Sequence, residues 1–185
     1  MAKVIVDEMK CIVDTDEEGS DDVYLLTWRG QIPLGDSVVT QTEFTVHGGI
    51  DFWDNLDTGE TRRGDVTIAD YDPRSLYIVQ LIEMDFGRDV AGDPRRAYKQ
   101  ILEGQWALAL SRTLGQPATL RTAVLTATVR ETLRVLNNRA MEFPLGNDDE
   151  LGPPRRLQLQ AASNPAAVEH FTGEGGLYRF TFKVA

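Results

Sequence analysis

Cysteine, histidine and positive charge are all scarce in this sequence. Cys11 stands alone, so no disulfide forms within the chain, and its place in an alternating apolar run marks it as a small buried hydrophobe. His47 and His170 sit far apart, without the H-x-x-x-H spacing that would point to zinc, and both read as surface residues. Only 19 Lys and Arg stand against 29 Asp and Glu, a net charge of −10. A nucleic-acid binder takes its affinity from basic side chains that neutralise phosphates, so that class is excluded. No stretch approaches the roughly 20 apolar residues of a membrane span, and the opening MAKVIVDEMKC lacks the apolar run of a signal peptide. The expected setting is the cytoplasm, unless the chain is exported by a route that needs no such signal.

What is present describes a folded domain. The 185 residues with 42% hydrophobic content suffice for one core, and residues 1–185 are expected to form a single domain. Lys3 to Val13 carries Val4, Val6, Cys11 and Val13 among β-branched neighbours and predicts a first strand, with a bulge around Glu8. Val23 to Trp28 predicts a second. Ser37 to Val46 and Asp65 to Ala69 predict short antiparallel strands between Gly, Asp and Pro punctuation. Leu76 to Met84 is apolar on both faces except at Gln80 and Glu83, the pattern of a central strand. Tyr178, Phe180, Phe182 and Val184 alternate with Arg179, Thr181 and Lys183, a half-buried strand at the C-terminus. Residues 51–64 and 161–175 are rich in turn formers and read as surface loops.

The middle of the chain follows another period. Tyr98, Ile101, Leu102, Trp106, Ala109 and Leu110 recur at helical spacing, with Gly115 and Pro117 as stop signals. Leu120, Val124, Ala127, Val129, Leu133 and Leu136 continue with a second helix that ends near Asn137 and Asn138. The fold class that follows is mainly β: an antiparallel eight-stranded sandwich formed by 1–90 and 145–185, with a helical hairpin inserted at about 92–141.

The densest chemistry lies between Asp14 and Asp22, where six of nine residues are acidic. Packing them together costs repulsion that a cation relieves, and calcium takes six to eight oxygens at flexible geometry. The alternative is a solvated acidic loop. Asp14, Asp16, Glu18 and Gly19 fit the first, third, fifth and glycine positions of an EF-hand loop, but Leu25 stands where its bidentate Glu belongs and both flanks read as strands.

A second comparison fits further. Asp16, Gly19, Asp22, Tyr24 and Leu25 lie at the spacing of the D-x-x-G-x-S-D-P-Y-V signature in the first calcium loop of C-two-type β-sandwiches, with Asp21 in place of its serine and Val23 in place of its proline. Glu83-Met84-Asp85 resembles the D-x-D of that family's third calcium loop, with Glu for the first Asp. The segment from Asn147 to Gly152 is similar to the family's N-D-x-I-G segment. The resemblance covers about two thirds of the chain and implies a C-two-like sandwich whose third loop is expanded by roughly sixty residues, the helices looping out between the strands. It implies calcium as the ligand, held by Asp16, Asp22, Glu83, Asp85 and Asp149, with Asp14, Asp89 and Asp148 as outer candidates. Glu17 and Glu18 are then solvated rim charges.

The expected role is a calcium-binding module that acts in protein binding or scaffolding, with phospholipid as the other partner the resemblance implies; Phe86 and Val90 are the apolar residues that would insert. The alternative is a metal-independent assembly subunit that docks or self-assembles through its helical hairpin, a detachable recognition surface. Trp28, Trp53 and Trp106 raise a further possibility, a sugar-stacking platform of a carbohydrate-binding module, although Trp106 falls on the apolar helix face. Hydrolysis ranks last: there is no G-x-S-x-G elbow, and calcium is a poor Lewis acid. The chain reads as a binding protein rather than an enzyme.

Overall fold

The computed structural model describes residues 2–15, 22–33, 41–48, 53, 56–83, 92–140, 149–160, 167–173 and 175–185, with 48, 92–98, 137–140 and 149–150 described as backbone only. Its strands are β1 (Lys3–Val13), β2 (Val23–Gln31), β3 (Thr42–Gly48), β4 (Thr61–Asp70), β5 (Ser75–Glu83), β6 (Asp149–Glu150), β7 (Arg155–Leu157), β8 (Ala167–Gly173) and β9 (Gly176–Val184). Helices α1 (Gly92–Arg112) and α2 (Ala118–Ala140) lie between β5 and β6.

All pairings are antiparallel, in a sheet ordered β4-β1-β9-β8 and a second ordered β3-β2-β5-β6, with β7 also on β5. Glu150 pairs with Ile82 and Arg155 with Val79, so β6 and β7 follow one another along the same edge of β5 as one interrupted strand. Counted so, each sheet is four strands wide and the molecule is an eight-stranded β-sandwich with a helical insertion. The interruption is Gly152-Pro153-Pro154. Gly152 holds φ +92°, and a Cβ there would meet the Thr172 carbonyl oxygen at 2.9 Å, so the break is where the second sheet's edge closes against β8.

Strand alternation explains the core. Val4, Val6, Met9 and Cys11 of β1, Val23 and Leu25 of β2, Tyr77, Val79 and Leu81 of β5, and Tyr178, Phe180 and Phe182 of β9 bury between the sheets. The register of β1 shifts between Val6 and Glu8 against both neighbours, the bulge its sequence suggested, and this brings Met9 and Cys11 back onto the inner face.

The other faces of β2 and β5 carry Trp28, Leu76 and Ile78, which bury against Leu102, Trp106 and Leu110 of α1 and Leu125, Val129 and Leu133 of α2. The helices therefore do not loop out. They fold back over the second sheet as a third layer, which is why β5 is apolar on both faces. The hairpin has its own hydrophobic core with the sheet and is not a detachable surface. In α2 the buried stripe runs Arg121, Leu125, Val129, Leu133, one residue out of phase with the expected Leu120 and Val124; Leu120 is exposed, as is Ile101 of α1. An i, i+4 row of long side chains faces the sheet, and the threonines between them bond back to their own helix, as Thr126 does to the Thr122 carbonyl.

Two loop expectations need correction. Residues 161–175 contain β8, whose only fully buried side chain is Phe171; an edge strand with one anchor carries too little apolar alternation to announce itself. Within 51–64, Trp53 and Leu56 are fully buried and β4 already begins at Thr61. Among the described residues no helix is long and apolar enough to cross a membrane.

Candidate functional site

The strand register brings Val23, Glu83 and Asp149, which are distant in sequence, to one end of the sandwich. Val23, at the start of β2, pairs with Glu83 at the end of β5, and Glu83 pairs in turn with Asp149 at the start of β6. Asp22 immediately precedes β2, Glu83 ends β5 and Asp149 begins β6, three adjacent strands at one sheet end, and Asp14 lies just past the end of β1 in the facing sheet. Asp16, Asp85, Asp89 and Asp148 lie outside the described residues, and Asp149 is described as backbone only. Asp22 is half-buried.

Glu83 shares the inner face with Tyr77, Val79 and Leu81 and is 4% exposed. The Thr15 hydroxyl donates to Glu83 Oε1 at 2.8 Å, a bond from the end of β1 to the end of β5 that closes the mouth of the core. Gly176 makes room for it: a Cβ there would lie 2.9 Å from Thr15 Cγ2. One oxygen of Glu83 is therefore committed to the protein.

Asp14 is committed too. Its backbone N–H donates to Thr58 Oγ1 at 3.0 Å and its carboxylate accepts from the same hydroxyl at 2.6 Å. That hydroxyl bond is the main reason its carboxyl titrates below the ordinary Asp range. Beside it, the Val23 N–H donates to the Trp53 carbonyl at 3.0 Å, and the Trp53 ring packs edge-on to Phe180 with centroids 5.1 Å apart. Trp53 plugs this end of the core.

Asp14, Asp22, Glu83 and Asp149 therefore gather at one end, with Asp14 and Glu83 already hydrogen-bonded within the protein. Among the described residues no group of three or more His, Cys, Asp and Glu side chains is arranged to hold a metal ion. The oxygens on offer are carboxylates, a hard donor set suited to calcium. Sequence reasoning missed Thr15, Thr58 and Trp53, the residues that organise this end. Two are threonines in turn-rich segments, where a hydroxyl that bonds across the fold looks like one that faces water.

The remaining candidates resolve plainly. Trp28, Trp53 and Trp106 are all fully buried and form no sugar-stacking platform. Cys11 is buried. His170 is exposed as expected, but His47 is half-buried, its Nε2 lying 2.8 Å from Thr45 Oγ1 and 3.2 Å from the Ile68 carbonyl oxygen, where it stitches β3 to β4. Compared with protein-family models, curated proteins and solved structures, the chain matches none.

Proposed function

We propose that this chain is a calcium-binding β-sandwich module that serves as a binding or scaffolding element for another protein, with phospholipid as its second possible partner. The observation that carries the reading is the row Val23, Glu83 and Asp149. It supports one shared site for the acidic segment before β2, the Glu83–Asp85 segment and the Asn147–Gly152 segment, the three whose order resembles C-two-type calcium loops. Asp16, Asp22, Glu83, Asp85 and Asp149 supply the oxygens. Calcium neutralises the carboxylates and joins the three segments at the rim where a partner docks; no chemistry on a substrate is required of it.

Calorimetry and thermal melting in calcium against chelator test this. A ligand at a hundredfold excess over its dissociation constant stabilises by about 2.7 kcal/mol, or roughly 5–10 °C in a domain of this size. Heat of binding and that rise in Tm, both lost in D16N/D22N, are the expected result. No heat and no shift would remove calcium from the account.

A second reading, an assembly subunit independent of metal, draws on Ile101 and Leu108, exposed by 44% and 41% on the outer side of α1. Their seven-residue spacing puts them on one face. Removing 92–141 would uncover Trp28, Leu76 and Ile78, so I101E/L108E is the cleaner variant. Loss of self-association in sedimentation velocity, with Tm unchanged, would favour this reading.

A further inference from the structure

The turn between β4 and β5 carries a cleft on each side. One, of about 320 Å³, is walled by the chain from Arg156 to Gln160; the other, of about 540 Å³, is walled by Arg29, Gln41 and Asp70. Tyr71, Asp72 and Pro73 line both, so the turn is the ridge between them. Both volumes fall in the ordinary range for small-molecule sites. The ridge leads into Ser75 at the start of β5, about 26 Å from Glu83 at strand rise, and so stands apart from the acidic end.

The ridge is held in place before any ligand arrives. The Tyr71 ring stacks on Tyr77, with centroids 6.3 Å apart and planes 7° from parallel. Tyr77 is buried, and its hydroxyl donates to the Asp70 carbonyl oxygen at 3.0 Å and accepts from the Asp72 N–H at 2.6 Å. The Asp72 carboxylate is engaged within the protein, accepting from Arg74 Nη2 at 3.2 Å and from Gln31 Nε2. Tyr71 itself is half-buried, an aromatic surface fixed between two polar clefts.

The wall facing it is built differently. Arg156, Gln158 and Gln160 are exposed and alternate with Leu157 and Leu159, which pack on the core. The three polar side chains therefore line the smaller cleft in a row, and among the described residues no ion pair or side-chain hydrogen bond engages them. Two are amides that both donate and accept, and the third is a fork of donors. The β5 edge beside them is taken, because Tyr77 pairs with Leu157, so an extended peptide would not find the open strand edge that it uses elsewhere.

We propose that this cleft binds a neutral saccharide chain, with one sugar ring against Tyr71 and its hydroxyls bonded by Arg156, Gln158 and Gln160. Sugar hydroxyls donate and accept as the amides do, and the C–H face of a sugar ring is apolar, which suits a fixed aromatic surface beside polar walls. A chain that crosses Tyr71 continues into the larger cleft, where Arg74 is paired with Asp72, Arg29 with Glu43 and Lys3 with Asp70, leaving little net charge to select an ion. The site is distinct from the acidic end and stands whether or not calcium binds.

The test uses the full chain with maltotriose, cellotriose, mannotriose and chitotriose as probes, read by calorimetry and by chemical-shift mapping that includes the glutamine side-chain amides. Saturable binding of at least one trisaccharide at millimolar concentration is expected, with shifts centred on Tyr71, Gln158 and Gln160. Q158A, at an exposed position, should weaken it about fivefold, the loss of one hydrogen bond. Y71A should abolish it, and Y71F, which keeps the ring, should retain most of it. Q100A, on the exposed side of α1, should leave it unchanged. Saturation by none of the four, shifts mapping elsewhere, or equal weakening by Q100A and Q158A would overturn the proposal. Binding at these residues of the blocked peptide acetyl-Ala-Gln-Val-Ala-amide in place of the sugars would overturn it too, and would assign the cleft to a peptide.

Discussion

Thr15 and Glu83, separated by 68 positions in sequence, are joined by a 2.8 Å hydrogen bond between two side chains that are both almost fully buried. The bond links the two sheets at the end where Glu83 pairs with Val23 and Asp149. A buried bond to a carboxylate is worth more than a neutral one, and removing one partner leaves the other desolvated.

T15V should therefore cost about 1–3 kcal/mol in urea unfolding. Combined with E83Q in a double-mutant cycle, it should show coupling of at least about 0.5 kcal/mol. Strict additivity would mean that the two residues act separately.

Gly30 should not tolerate a side chain. A Cβ there would sit 2.8 Å from the Trp106 ring, which is also packed edge-on to Trp28 with centroids 6.3 Å apart. G30A should cost about 1–3 kcal/mol by overpacking and should alter the near-ultraviolet dichroism of the tryptophans. An unchanged spectrum and Tm would show that the helical layer is looser than its packing implies.

Thr27 offers the opposite sign. It is 1% exposed and, among the described residues, its hydroxyl has no hydrogen-bond partner. T27V keeps the shape and removes the stranded hydroxyl, so stability should rise by about 1 kcal/mol; a fall would reveal a partner for it.

Two glutamates should respond to pH in opposite directions. Hydrogen bonds from Arg179 and Arg63 hold the Glu8 carboxyl below its ordinary range. Its contribution is complete above that ordinary range and is lost as pH falls toward its folded value. Burial raises Glu169, against the attraction of Arg155 and His170. Its folded state holds the proton longer, so stability falls as pH rises from the ordinary Glu range to the folded value. E8Q should lower stability at neutral pH and flatten the acid limb, whereas E169Q should raise it. Parallel curves for the two variants in pH-dependent melting would contradict this assignment.

The sequence was most legible where one face of an element alone decides its pattern. Tyr178, Phe180 and Phe182 announced β9, and Leu102, Trp106, Ala109 and Leu110 announced α1. β8 escaped because Phe171 is its single deep anchor, and Trp53 because an irregular segment has no period by which burial is read. At the acidic end, the register of β2, β5 and β6 puts Val23, Glu83 and Asp149 in one row, while Asp16, Asp85, Asp89 and Asp148 lie outside the described residues. What could not be read was the use of Asp14 and Glu83 as hydrogen-bond acceptors, because Thr15 and Thr58 select their partners through tertiary contact alone.

The pairing of Glu83 with Asp149 closes an excursion of about 65 residues. Were that span a flexible chain, closing it would cost entropy that grows with the logarithm of its length. With α1 and α2 paired, the loop left to close is the roughly 16 residues that flank them, about eight on each side. The saving is about 1 kcal/mol. The third layer is thus a tether as well as a cover: once formed, it shortens the loop that the last sheet edge has to close.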